Sequence, residues 1–253
     1  MTPECKIFQA VVNAMGSARR RRREVRLIGL CDFDHTVIDA DSEELTLHAM
    51  VRRGQPGAYE RFQAYYDLLD RGEVEPAYRV GAQLFAGMTV AEAEQLVASV
   101  MTEEAAFPAG TTEVLCNRTV PRGIAVRPRM KRLIGWLVAA GIEPWLVSAS
   151  PEVLVRSTAS FFGLPIAGVV GNRSIVRGGI ITEELEEPVC MFEGKAVRVL
   201  GQFEDAELLL AVGDSANDLP LLELSQVNVR GVIPRGNALE AKARQEGWHL
   251  LPA

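Results

Sequence analysis

Four short apolar runs, Val25–Cys31, Glu143–Val147, Ile166–Val170 and Leu208–Val212, set the strongest limit on how this chain folds. Each is about one strand long, and a segment of helical character precedes each of the last three. Met130–Ala140 reads as a helix stopped by Gly141, Pro151–Phe162 as one stopped by Gly163, and Glu193–Phe203 as a third. Val227–Val229 and a helix near Ala238–Glu246 extend the pattern. Strands that alternate with helices build an α/β protein, a mainly parallel sheet covered on both faces. Such sheets take their ligands beyond the carboxyl ends of the strands. Three strand ends here are polar: Asp32-Phe-Asp-His-Thr36, Ser148-Ala-Ser150 and Gly213-Asp-Ser-Ala-Asn-Asp218.

Residues 42–118 follow a different period. Leu45, His48, Phe62, Tyr65, Tyr66, Leu69, Tyr78 and Leu84 recur at helical spacing, and Thr89 with Glu92 forms a capping box. The spacing predicts an all-helical insertion over 42–118 in a core made of 25–41 and 119–253. Because it interrupts the chain just after the first polar strand end, it should lie over that edge as a lid. Ser174–Val176 and Ile180–Thr182 flank Arg177-Gly-Gly179 and predict a hairpin.

The net charge of −6 is unevenly spread. Residues 1–26 hold seven basic and two acidic side chains, so the remainder carries −11. An acidic folded part repels nucleic acid. The basic residues Arg19–Arg23 read as part of a solvated, poorly ordered leader over 1–24. No run approaches the ~18 apolar residues of a membrane span. The four cysteines form no CxxC pair, so they read as reduced thiols and predict a cytoplasmic protein.

Two carboxylates two residues apart at a strand end, Asp32 and Asp34, can supply a nucleophile and a proton-transfer group. Alone, the same residues read equally well as a turn. The ordered set Asp32, Thr36, Ser148, Lys195, Asp214 and Asp218 resembles the haloacid dehalogenase superfamily of aspartate-nucleophile phosphohydrolases over residues 27–235. The resemblance implies a Rossmann-like core with a helical cap. It also implies Mg2+ held by Asp32, the Asp34 carbonyl and Asp214, which suits a hard cation that keeps several waters. Asp32 would attack phosphorus, while Asp34, positioned by Thr36, would handle protons. Lys195 would neutralise charge, and Asp218 would hold Lys195 or metal-bound water. Ser148 and nearby backbone amides, that of Ala149 included, would hold phosphoryl oxygens.

Within that superfamily the chain is similar to the phosphoserine phosphatase-like subgroup. The likeness implies substrate contacts at Asp41, Asn217 and a cap arginine, Arg79, expected to turn inward onto a substrate carboxylate. His35 falls where the superfamily varies and reads as structural or as substrate edge. Ser148-Ala-Ser-Pro151 and the short Asp41 depart from the subgroup pattern. The expected partner is thus a small phosphate monoester, phosphoserine-like first. A non-catalytic binding protein on this scaffold and an aspartyl-phosphate phosphotransferase are the alternatives.

Overall fold

The computed structural model describes residues 3–22 and 24–252. In chain order, α1 (Pro3–Arg21) precedes β1 (Arg26–Asp32), and α2 (Ser42–Arg52), α3 (Ala58–Asp70), α4 (Val74–Ala82) and α5 (Val90–Glu104) follow. A hairpin of β2 (Thr111–Leu115) and β3 (Arg118–Arg122) leads to α6 (Pro128–Ala139), β4 (Glu143–Pro151), α7 (Glu152–Phe161) and β5 (Gly168–Asn172). A second hairpin, β6 (Ser174–Arg177) and β7 (Ile180–Leu185), precedes α8 (Glu193–Gln202) and β8 (Ala206–Gly213). The chain ends through a 3-10 turn at Ala216–Asp218, α9 (Leu219–Leu222), β9 (Val229–Val232), α10 (Ala238–Gln245) and β10 (His249–Leu250).

Six strands form one sheet in the order β10-β9-β8-β1-β4-β5, and all neighbours are parallel. The central β1 is buried over six of its seven residues, which is why it reads as an unbroken apolar run. The chain leaves β1 toward β4 and later returns on its other side as β8. That reversal opens a crevice at the carboxyl end of β1.

The insertion is helical through α5, and its Thr89–Glu92 capping box is present. Its last part corrects the all-helical expectation: residues 111–122 pair as β2 and β3. The turn between them places Cys116 and Asn117 at φ 51° and 63°, a left-handed pair suited to a two-residue hairpin loop. Glu104, fully buried at the end of α5, draws Arg122 of this hairpin and Arg52 of α2 together at 2.9 and 2.6 Å. The two connections to the core meet in an Ile38–Val126 bridge, with the Asp39 N–H donating to Ala125 O. The cap then rests on the second hairpin, where Gly87 and Met88 exchange backbone hydrogen bonds with Ile181.

Residues 3–21 also differ from expectation. They form α1, whose Ile7, Val11 and Ala18 are fully buried against the sheet, so a solvated leader does not describe them. The arginines were the misleading feature: Arg19–Arg21 fill the last turn, where cations suit the helix dipole. Arg23 lies outside the described residues. No helix among the described residues is long and apolar enough to cross a membrane, and no disulfide joins the four cysteines among those residues.

Ile7→Ala should cost about 2–4 kcal/mol in urea unfolding, as for a core residue, where a solvated leader would give nothing. Within the cap, burial and then Arg52 push His48 down to about 3. An unfolded chain takes up that proton near pH 6.5 and the native one does not, so stability present above pH 6.5 is lost as pH falls toward 3. The loss reaches about 2 kcal/mol by pH 5, and His48→Gln should remove that part of the acid sensitivity.

Candidate active site

The crevice at the end of β1 is a cavity of about 390 Å³. Asp32, Asp34, Asp41, Ser148, Ala149, Asp214 and Asn217 all line it, so the structure brings together most of the residues singled out from sequence. Lys195 and Asp218 lie beneath its floor at 1% and 0% exposure.

Lys195 Nζ donates to Asp32 Oδ1 at 2.7 Å and to Asp218 Oδ1 at 2.6 Å. Burial alone would strip its proton, but the two carboxylates outweigh that and hold its pKa above the ordinary lysine value. The other oxygen of Asp218 accepts the Asp214 and Ser215 N–H groups, tying the loop after β8 to the lysine. Asp218 thus holds Lys195, one of the two contacts the resemblance allows it. Burial, followed by the charge of Asp218, raises Asp32 above the usual carboxylate range, and the same two causes push Asp214 up to about 6.

Asp34 is fastened by four donors. Ser42 N and Oγ reach its Oδ1 at 2.8 and 2.6 Å, while Ser148 and Ser150 hydroxyls reach its Oδ2 at 3.1 and 2.8 Å. The two serines sit two apart on one face of β4, where the pairing register to β5 shifts between Val147 and Pro151. Such an irregularity re-aims side chains at a strand end. Thr36 and Ser148 make contacts here other than those the resemblance implies. Thr36 donates to Asp214 Oδ1 at 3.4 Å and so supports Asp214 rather than Asp34. Ser148 is directed at Asp34 in this structure.

Arg79 is not brought to the site. It pairs with Glu187 of the core at 2.9 Å and with Glu75 one turn back, outside the cavity. Asn217 lines the cavity while accepting the Phe192 N–H, and the Ala149 carbonyl accepts from Asn172. Cys31 is a buried thiol that burial pushes up to about 12, inert as a nucleophile. His35, at φ 58°, turns the chain at the cavity rim.

Residues that the sequence reading did not single out also line the cavity: Glu43, Tyr78, Ser150, Arg235 and Asn237. Arg235 donates to Asp214 Oδ2 at 2.9 Å, and Asn237 Nδ2 to the Asp214 carbonyl at 2.7 Å. Ser150 was legible as the second serine of Ser148-Ala-Ser150, since alternate strand residues share a face. Glu43 and Tyr78 come from helices whose rotation no local pattern gives.

Asp32, Asp214 and Asp218 place carboxylate oxygens within 4.8 Å of one another. With Asp218 held by Lys195 and two backbone N–H groups, Asp32 and Asp214 remain as hard oxygen donors at the cavity wall. That pair fits a magnesium-like cation, which needs few protein ligands.

The sequence profile of the haloacid dehalogenase-like hydrolases matches residues 30–223, and the chain belongs to that family. No curated protein matches its sequence. Among solved structures it is similar to a Bordetella pertussis Tohama I protein of unknown function, at 24% identity and TM-score 0.70 over 90% of this chain and 99% of that one. A functionally unknown protein from Anaerococcus prevotii DSM 20548 is 17% identical at TM-score 0.70, over 89% and 85% of the two chains. A substrate-bound phosphoserine phosphatase is 17% identical at TM-score 0.54, over 87% and 91%. These likenesses confirm the α/β core of this family and a phosphoserine phosphatase-like fold.

The two cations differ in what their removal should do. Lys195→Met leaves Asp32 and Asp218 buried without a counter-charge and should destabilise the metal-free protein by about 3–5 kcal/mol. Arg79→Ala breaks exposed pairs and should change stability by less than about 1 kcal/mol in the same unfolding assay.

Proposed function

We propose that this protein is a Mg2+-dependent phosphomonoester hydrolase that works through an aspartyl phosphate on Asp32. The observation that carries the reading is the Asp32–Lys195–Asp218 arrangement at the floor of a cavity whose wall also presents Asp34 and Asp214. Lys195 occupies Oδ1 of Asp32, which leaves Oδ2 to attack phosphorus.

In the first step the Asp32 oxygen bonds to phosphorus and the ester P–O bond breaks. Asp34 gives its proton to the departing alcohol oxygen. In the second step Asp34 takes a proton from water, the water oxygen bonds to phosphorus, and the Asp32–phosphorus link breaks to free inorganic phosphate. Ser148 and Ser150 suit this exchange, because hydroxyls donate to a carboxylate and accept from a carboxylic acid. Lys195 offsets negative charge that a buried carboxylate and a phosphate dianion would otherwise share. Asp32 and Asp214 would hold Mg2+, with the Asp34 carbonyl as the third protein ligand that the family resemblance implies. When bound, the ion supplies further positive charge at the phosphoryl oxygens.

Asp32→Asn keeps the shape of the side chain and removes its attacking oxygen. Release of inorganic phosphate from p-nitrophenyl phosphate should fall by at least about 10³-fold, with the far-ultraviolet circular dichroism unchanged. Excess EDTA should abolish the wild-type rate and added Mg2+ should restore it. Near-normal phosphate release by the variant, or full activity in EDTA, would overturn the mechanism. Phosphate appearing on an added alcohol instead of in solution would identify a phosphotransferase.

A further inference from the structure

The alcohol part of the substrate leaves toward the cap, and the cap wall of the cavity has an unusual composition. It consists of Glu43 and Tyr78, with Asp41 at the hinge, and contributes no cation among the described residues. Resting on the phosphatase reading above, we propose that the ester cleaved here carries a cationic nitrogen on its alcohol and no carboxylate, and that Glu43 is the residue that selects it. The substrate class is then a phosphorylated amino or quaternary-ammonium alcohol.

Glu43 is 5% exposed, and no hydrogen bond or ion pair reaches its carboxylate among the described residues. Tyr65 and Tyr78 lie near enough for its charge to raise them, yet neither hydroxyl donates to it. An acidic residue in the first turn of a helix stabilises the helix dipole whether it is exposed or partly buried. Asp41 already caps α2 by accepting the Glu43 and Glu44 N–H groups. The helix therefore has no need of a buried second acid.

A buried carboxylate without a partner is strongly unfavourable. Burial, with Asp41 and Asp34 adding to it, holds Glu43 well above the usual carboxylate range. The fold nevertheless makes room for it. A Cβ at Gly81 of α4 would stand 1.6 Å from Glu43 Oε1, so the helix carries no side chain at the point where the carboxylate lies. Asp41 and Glu43 are not among the carboxylates whose oxygens converge as metal ligands do. With no protein ion pair and no metal-type convergence of ligands at Glu43 among the described residues, the group ionises only when a substrate brings the counter-charge. An ammonium group supplies it, and the Tyr78 ring beside it attracts the same cation through its face. A substrate carboxylate would meet two acids there, because Arg79 is engaged with Glu187 outside the cavity.

The test compares steady-state kcat/KM for phosphoethanolamine, phosphocholine, glycerol 3-phosphate and O-phosphoserine, with p-nitrophenyl phosphate as the general substrate. The wild type should prefer the ammonium esters over glycerol 3-phosphate and over phosphoserine by tenfold or more. Glu43→Gln should shrink the preference for the ammonium esters over glycerol 3-phosphate by roughly tenfold to a hundredfold, the range for a hydrogen bond to a charged group. Gly81→Ala, which displaces the carboxylate without removing it, should shrink the same ratio. Glu43→Gln should also leave Tm unchanged or raised. Hydrolysis without the ammonium preference, or an unchanged ratio in both variants, would overturn this inference while the phosphatase reading stands. A Tm several degrees lower in Glu43→Gln would also overturn it by showing that the carboxylate holds the fold. If none of the five esters is cleaved, the phosphatase reading falls and this one with it.

Discussion

The ion pairs of Lys195 with Asp32 and Asp218 are the constraint around which the catalytic core is arranged. An ammonium group at 1% exposure survives only with carboxylates in direct contact, and these come from the end of β1 and the turn after β8. The lysine itself comes from the first turn of α8. For it to reach inward, the start of that helix must press against the preceding loop. Gly194 permits this, since a Cβ there would stand 1.8 Å from the Val189 carbonyl. Three segments distant in sequence are thereby held in one register at one strand end. The position of β1 between β8 and β4 is the sheet's answer to the same requirement.

What could be read from the chain divides along this line. The core was legible because its signals are local: an apolar run, then Asp or Ser at the point where the strand ends. Parity along a strand places such residues on a known face, and the chain topology brings the strand ends to one edge. The cap was legible only as helices. Arg79 sits on α4 with Tyr78, yet adjacent helix residues point about 100° apart, so Tyr78 lines the cavity and Arg79 meets Glu187. Glu43 escaped notice because a glutamate two residues into a helix is ordinarily a solvated dipole partner. Its burial depends on Gly81, 38 positions later, and no local pattern links the two.

The amino-terminal segment was misread for a different reason. The run Arg19–Arg23 outweighed Ile7, Val11 and Ala18, whose spacing of four and seven residues is that of one helical face. The β2–β3 hairpin was missed because its strands are short and half-exposed, with Val114 at 76% exposure. Besides the buried Val120, charge secures that hairpin: Arg122 meets Glu104 and Glu113, and Arg52 meets both as well.

The two walls of the cavity differ in how far their charges are balanced, and this separates chemistry from selection. On the core wall each acid has protein partners: Asp32 has Lys195, Asp34 has three serines, and Asp214 has Arg235 and Thr36. On the cap wall Asp41 accepts the N–H groups it caps and lies near His35, and Glu43 has no hydrogen-bond or ion-pair partner among the described residues. On the proposed reading a phosphate dianion enters a space lined by five acidic side chains, with Asp34 as the proton donor, while Lys195 and Arg235 are already engaged. Charge must therefore be supplied at both walls. Beside Asp32 and Asp214 a divalent cation meets the need, and it serves any phosphate ester equally. Beside Glu43 no such group of ligands converges among the described residues, and on the reading proposed above the charge belongs to the leaving alcohol. Discrimination between esters then follows from the same electrostatics that govern the reaction, acting at the opposite wall.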